Sequence, residues 1–94
     1  MTSTWQAPQA LTHRNWHAAM AACQLSFQNA PASPSPKQMI DWQACQQIDS
    51  SAIAMILSLK RAAPQAVLNH VNVPAQLRQL AALYEVESLL GLNN

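Results

Sequence analysis

Ninety-four residues, half of them apolar, with a net charge of only +1, describe one small globular domain rather than a disordered chain. Five basic and four acidic side chains are too few for the basic stripe that a phosphate backbone needs, which argues against nucleic acid as a partner. A domain of this size buries about 60–65% of its unfolded surface. Its own core is therefore modest, and low charge with abundant Ala, Leu and Gln suits a subunit that hides surface against another protein.

At the start, Met1-Thr2-Ser3-Thr4-Trp5-Gln6 lacks a basic region followed by an apolar core, so no signal peptide is expected. The stretch 3–11 reads as one short strand anchored by Trp5, with Pro8 restricting it to an edge. Thr12 is a helix cap, and the first helix is expected over 12–29. Trp16, Ala19, Met20, Cys23 and Phe27 form its apolar stripe at spacings of three and four, and Asn29 and Pro31 end it. Residues 30–36 (Ala-Pro-Ala-Ser-Pro-Ser-Pro) make a stiff, extended connection, too short to separate two domains. A strand is expected over 37–44, although Gln38, Asp41 and Gln43 blur its alternation. The second helix spans 50–63, with Ile53, Ile56 and Leu57 at helical spacing up to Lys60 and Arg61, and Pro64 closes it. A strand follows over 66–71. Asn72 is expected to cap a third helix over 74–84, with Pro74 in its first turn and Leu77, Leu80, Ala81 and Tyr84 as its stripe. A last helix over 86–91 carries Val86, Leu89 and Leu90 and ends at Gly91. The longest apolar run, from Ala52 to Leu59, is interrupted by Ser58 and falls far short of the roughly 20 residues a membrane span needs. The expected compartment is the cytoplasm.

The run Ile48-Asp49-Ser50-Ser51-Ala52-Ile53 is the most informative. An acidic residue and two hydroxyls sit where an extended segment turns into a helix. Their oxygens suit the unpaired N–H groups of a helix start, and that end favours acceptors and anions. Ser50 reads as a capping hydroxyl worth about 1 kcal/mol or as a displayed, modifiable one. Asp49 reads equally as a helix-start carboxylate or as a contact to a partner's basic group or backbone donor. Gln46, Gln47 and Ser51 complete a polar rim around them. Elsewhere, His13 and His17 lie four apart but lack the third ligand that zinc requires, so no metal is expected. His70 reads as structural, Trp16 and Trp42 as core, Trp5 as ambiguous, and Cys23 and Cys45 as buried thiols. Ser50 lacks an evident general base and oxyanion hole, and the single glycine, Gly91, rules out a Gly-rich phosphate loop. No catalytic residues and no cofactor are expected.

Asp49-Ser50-Ser51, followed by a small residue and an aliphatic, resembles the signature of STAS domains, the fold shared by anti-sigma factor antagonists and sulfate-transporter tails. The resemblance extends from Ile40 to Leu90: Ile40-Asp41-Trp42 is similar to the family's buried strand, Leu68 to Pro74 to its last strand and the following helix start, and Gln76 to Leu90 to its closing helices. It implies an α/β, STAS-like fold, a small mixed β-sheet covered on one face by about four helices, with the first strand shortened or missing. In register the chain is most similar to the small STAS subunits of Mla-type phospholipid ABC transporters. That likeness implies a non-catalytic cytoplasmic subunit, peripheral on the inner membrane. It would bind the ATPase subunit, two copies per complex, and through it the permease, with Asp49, Ser50, Ser51, Gln46 and Gln47 at the contact. The alternative implied by the family is an anti-sigma factor antagonist with Ser50 as phosphoacceptor. Ala52 stands where that family usually has glycine.

Overall fold

The computed structural model describes residues 2–28 and 37–90. These form, in chain order, β1 (Thr2–Gln6), β2 (Ala10–Leu11), α1 (Trp16–Gln28), β3 (Lys37–Asp41), β4 (Gln47–Ile48), α2 (Ser51–Ala62), β5 (Val67–Val71), α3 (Ala75–Leu83) and α4 (Glu87–Leu90). The expected helix stop at Asn29, the proline-rich connection and Gly91 lie outside the described residues.

Strands β1, β3 and β5 form one sheet in the order β1-β3-β5, and β2 pairs with β4 in a second, two-residue ladder. Every ladder is parallel, where the sequence suggested a mixed sheet. The reason is the connectivity: a helix follows β2, β4 and β5, and no hairpin joins two described strands. The register sets Trp5, Ile40 and His70 in one row. Alternation along each strand puts that row, with Leu68, on the face packed by helices, while Thr4, Gln6, Val67 and Asn69 lie exposed on the other. The domain is thus two layers, with helices on one face of the sheet.

Three expectations are corrected by local chemistry. The stretch 3–11 is two strands, because the Ala7 amide donates to the Asp41 carbonyl at 2.9 Å and β3 then turns away, leaving the residues after Ala7 no partner on that strand. The strand expected to reach residue 44 stops at Asp41. There the Asp41 carboxylate accepts from the Gln43 amide at 3.0 Å and the Cys45 amide turns back to the Trp42 carbonyl at 2.9 Å, an Asx turn followed by a tight turn. Asn72 does not cap α3. It takes a left-handed conformation, φ 56°, which asparagine tolerates, and its amide donates to the Asp41 carboxylate at 3.1 Å. Pro74 occupies the cap position instead, and its carbonyl accepts from Leu77 and Arg78.

Thr12 does open the first helical segment, though α1 itself starts at Trp16. The Thr12 carbonyl accepts from Asn15 and Trp16, and the Asn15 side chain accepts from the Thr12 amide at 2.8 Å, the returning half of a capping box. The core gathers Leu11, Cys23, Ile40, Trp42, Met55, Ile56, Leu77 and Leu90, all essentially inaccessible. Each buried Leu, Ile or Met contributes about 1.5–3 kcal/mol. Of the α1 stripe, Ala19, Cys23 and Phe27 are buried while Trp16 and Met20 pack at its margin. Cys23 and Cys45 are free, buried thiols, and burial pushes the Cys23 thiol up to about 12 and raises that of Cys45.

Helix α3 ends in a Schellman motif: Val86 N–H donates to the Ala81 carbonyl at 2.9 Å and Glu85 N–H to that of Ala82 at 3.1 Å. The turn requires a positive φ at Glu85, which stands at 57° and carries a Cβ that this region disfavours. Replacing Glu85 by glycine should therefore stabilise the domain by about 1 kcal/mol. Thermal denaturation checks this, since such a gain raises Tm by roughly 4–8 °C in a domain of this size.

Candidate functional site

The polar run from Gln46 to Ser51 leaves the sheet at the carboxyl ends of its parallel strands, where open α/β folds place their loops and sites. Its backbone is stitched to the earlier chain. Gln46 and Gln47 amides both donate to the Gln9 carbonyl, at 2.7 and 3.1 Å, and the Asp49 amide to that of Leu11 at 3.4 Å. The Gln9 and Gln46 side chains meet at 3.4 Å. From the other side, the Gln76 side chain on α3 donates to the Ile48 carbonyl at 3.0 Å. Gln46 and Gln47 are exposed on the rim.

Asp49 is the organiser of the turn. One carboxylate oxygen accepts from the Ser51 amide at 2.8 Å. The other accepts from the His13 amide at 3.0 Å and lies 3.3 Å from His13 Nδ1. Partial burial alone would push its pKa up. The amides of Ser51 and His13, with the His13 and Ser51 side chains, outweigh that and hold it at about 2. Asp49 thus caps α2 and clasps the turn that leads into α1, two segments 36 residues apart in sequence.

Because Asp49 caps the helix, Ser50 does not. Its backbone is already helical, φ −63° and ψ −14°, and its hydroxyl makes no capping bond. The first amides of α2 are satisfied internally: Ser51 by the Asp49 carboxylate, Ala52 by the Asp49 carbonyl, Ile53 and Ala54 by that of Ser50. The unpaired amides expected at this helix start are therefore not on offer. What the turn presents is the exposed Ser50 side chain, with Ser51 half-buried behind it. Ser50 also stands at one end of an open groove of about 340 Å³ lined by Ile53, Ala54, Leu57 and Tyr84. Tyr84, expected on the buried stripe of α3, is the C-cap residue and 53% exposed. Its neighbour Leu83 is 73% exposed.

The histidine pair is separated by its surroundings. His13 lies in the turn before α1 and pairs with Asp49, while the His17 ring lies 3.8 Å, centroid to centroid, from that of Trp16. Among the described residues no three His, Cys, Asp or Glu side chains converge on a metal position. His70 lies in β5, where its Nδ1 accepts from the Trp42 indole at 3.0 Å. The contributions of His13 and Tyr84 escape sequence reasoning, because each reaches the site by a tertiary contact with no local signature.

Comparison with known proteins finds no family model, no curated protein and no solved structure that matches this chain. No helix among the described residues is long and apolar enough to cross a membrane.

The division of labour between neighbours is measurable. Asp49→Ala should cost about 1 kcal/mol through loss of the cap, whereas Ser50→Ala should change stability by less than about 0.5 kcal/mol; urea denaturation of both variants compares them. Asp49's ionised form is favoured by folding. Its contribution is complete above the ordinary value of 3.8 and is lost as pH falls toward about 2, so the stability gap between wild type and Asp49→Ala should close across that interval.

Proposed function

We propose that this protein is a non-catalytic STAS-like subunit of a bacterial phospholipid-transport ABC transporter of the Mla type. In this reading it docks on the ATPase subunit, in two copies per complex, and is held through that subunit at the cytoplasmic face of the inner membrane beneath the permease. It stabilises or regulates the assembly while the partner handles ATP. The observation that carries the reading is the pairing of an exposed, unbonded Ser50 hydroxyl with an apolar groove along α2. A polar anchor beside an apolar trough is the arrangement of a protein contact rather than of a reacting centre. The Asp49-Ser50-Ser51 signature and the one-sided α/β layer pair agree with it. Gln46, Gln47, Ser51 and Asp49 form the polar border, with Asp49 acting chiefly by fixing the turn.

The same hydroxyl favours a second reading, an anti-sigma factor antagonist switched by phosphorylation of Ser50. A phosphate there adds nearly two negative charges beside the Asp49 carboxylate, at a helix end that tolerates them to the extent of at most about 2 kcal/mol. Phosphorylation would then leave the fold intact and act on the docked partner.

Co-purification from the native host separates the two. The transporter reading expects an ABC ATPase with its permease and an unmodified Ser50 by intact mass. A histidine-kinase-like partner and a phosphate on Ser50 would replace it by the second reading. In either case Ser50→Glu should leave the circular dichroism spectrum and Tm unchanged while weakening partner binding at least tenfold. Full-strength binding by that variant would remove Ser50 from the interface.

A further inference from the structure

Where β3 ends, residues from three successive parts of the chain meet at one imidazole. Trp42, fully buried just past the end of β3, donates its indole N–H to Nδ1 of His70 on β5 at 3.0 Å. The two rings lie 6.1 Å apart, tilted by 30°. Indole can only donate, so Nδ1 must be the unprotonated acceptor and the single ring proton must sit on Nε2. That Nε2 is buried and has no hydrogen-bond partner among the described residues. Leu90, the fully buried last residue of α4, brings its backbone near the ring without completing a well-formed hydrogen bond at Nε2, and that backbone acts in the direction that favours a proton on the ring.

We propose that His70 is an acid-sensitive latch, neutral when the Trp42 indole is bonded to it, that holds the C-terminal helix α4 against the sheet and releases it when the ring takes a second proton. The geometry forces the coupling. In imidazolium both nitrogens donate, so protonating Nδ1 sets two N–H groups against each other. Trp42 is sealed in the core and its indole bonds to no other acceptor among the described residues, and an orphaned buried donor is costly. The protonated ring must therefore leave its seat, and the Leu90 backbone loses the ring beside it.

The surroundings oppose the charged ring. Burial is the main influence and the positive charge of Lys60 on α2 adds to it; together they outweigh the Leu90 backbone and bring His70 from 6.5 down to about 4. The other charged residues on the neighbouring elements are Arg61 on α2, Lys37 and Asp41 on β3 and Glu87 on α4. The Asp41 carboxylate is engaged with Gln43 and Asn72, and the ring has no carboxylate partner among the described residues. With a folded value below the unfolded one, the latch contributes fully above about 6.5, weakens as pH falls from there to about 4, and gives no further loss below.

The test is an NMR pH titration of the intact chain from pH 7.5 to 3, following the His70 ring carbons, the Trp42 indole N–H and the Leu90 methyls together. The expected result is a His70 midpoint near 4, with the Trp42 and Leu90 signals leaving their native positions at that same midpoint. His70→Gln keeps an acceptor for the indole but cannot titrate, so this step should vanish in it. A His70 midpoint within half a unit of 6.5 would overturn the proposal. So would native Trp42 and Leu90 signals on both sides of the His70 transition, or an unchanged acid step in His70→Gln. Should that variant fail to fold, the coincidence or separation of the three wild-type midpoints decides alone.

Discussion

The fold depends on how the central strand ends. Over Asp41 and Trp42 the chain changes from ladder to turn, and nearly every polar group of the two residues is committed elsewhere. The Asp41 carbonyl receives the Ala7 amide, and the Trp42 amide reaches the Val71 carbonyl at 3.0 Å. One oxygen of the Asp41 carboxylate holds both Gln43 and Asn72, bonds that lower its pKa. The Trp42 indole ties down His70. These bonds gather the carboxyl ends of β1, β3 and β5 at one edge and fix where each following segment sets out. The buried Trp42 side chain closes the core beneath them. A three-stranded parallel sheet with one open face has little else to hold its strands in register.

That edge decides what the candidate site can be. The loop from Gln46 to Ser51 is fastened to Gln9 and Leu11 on one side and to Gln76 on the other, so the start of α2 is a rigid feature. Asp49 then consumes the groups that make a helix start attractive to a ligand. With the first amides satisfied within the turn, an anion has little to bind there, and what the surface leaves open is the Ser50 hydroxyl and the apolar trough beside it. A surface of that kind suits contacts made through excluded water and shape, with one polar group to set register.

The exposed apolar side chains are concentrated late in the chain. Leu83, Tyr84 and Leu89, at 73, 53 and 56% exposure, lie where α3 breaks into α4. The break is built by the Schellman turn at Glu85, which lets Val86 and Leu90 return to the core while their neighbours face outward. A continuous helix would carry the stripe of α3 straight on. The break spends one strained residue to give the short last helix a buried anchor, and Tyr84 is left beside α2 as part of the groove wall.

Local chemistry was legible in the residues themselves. Apolar spacing placed α1, α2 and α3 to within a few residues, because a helix face that must be buried repeats every three to four positions wherever it docks. The Asp-Ser-Ser run announced a helix start. Other features were invisible, because they join residues far apart in the chain. Which of three adjacent polar residues caps α2 depended on His13 lying 3.0 Å from Asp49. The end of β3 depended on Asn72 arriving at Asp41, the parallel pairing on how the strands were laid side by side, and the locked state of His70 on Trp42. Sequence sets propensity through nearest neighbours along the chain. A hydrogen bond is satisfied, or a charge favoured, by whatever group the finished fold brings within about 3 Å, and only the tertiary structure decides that.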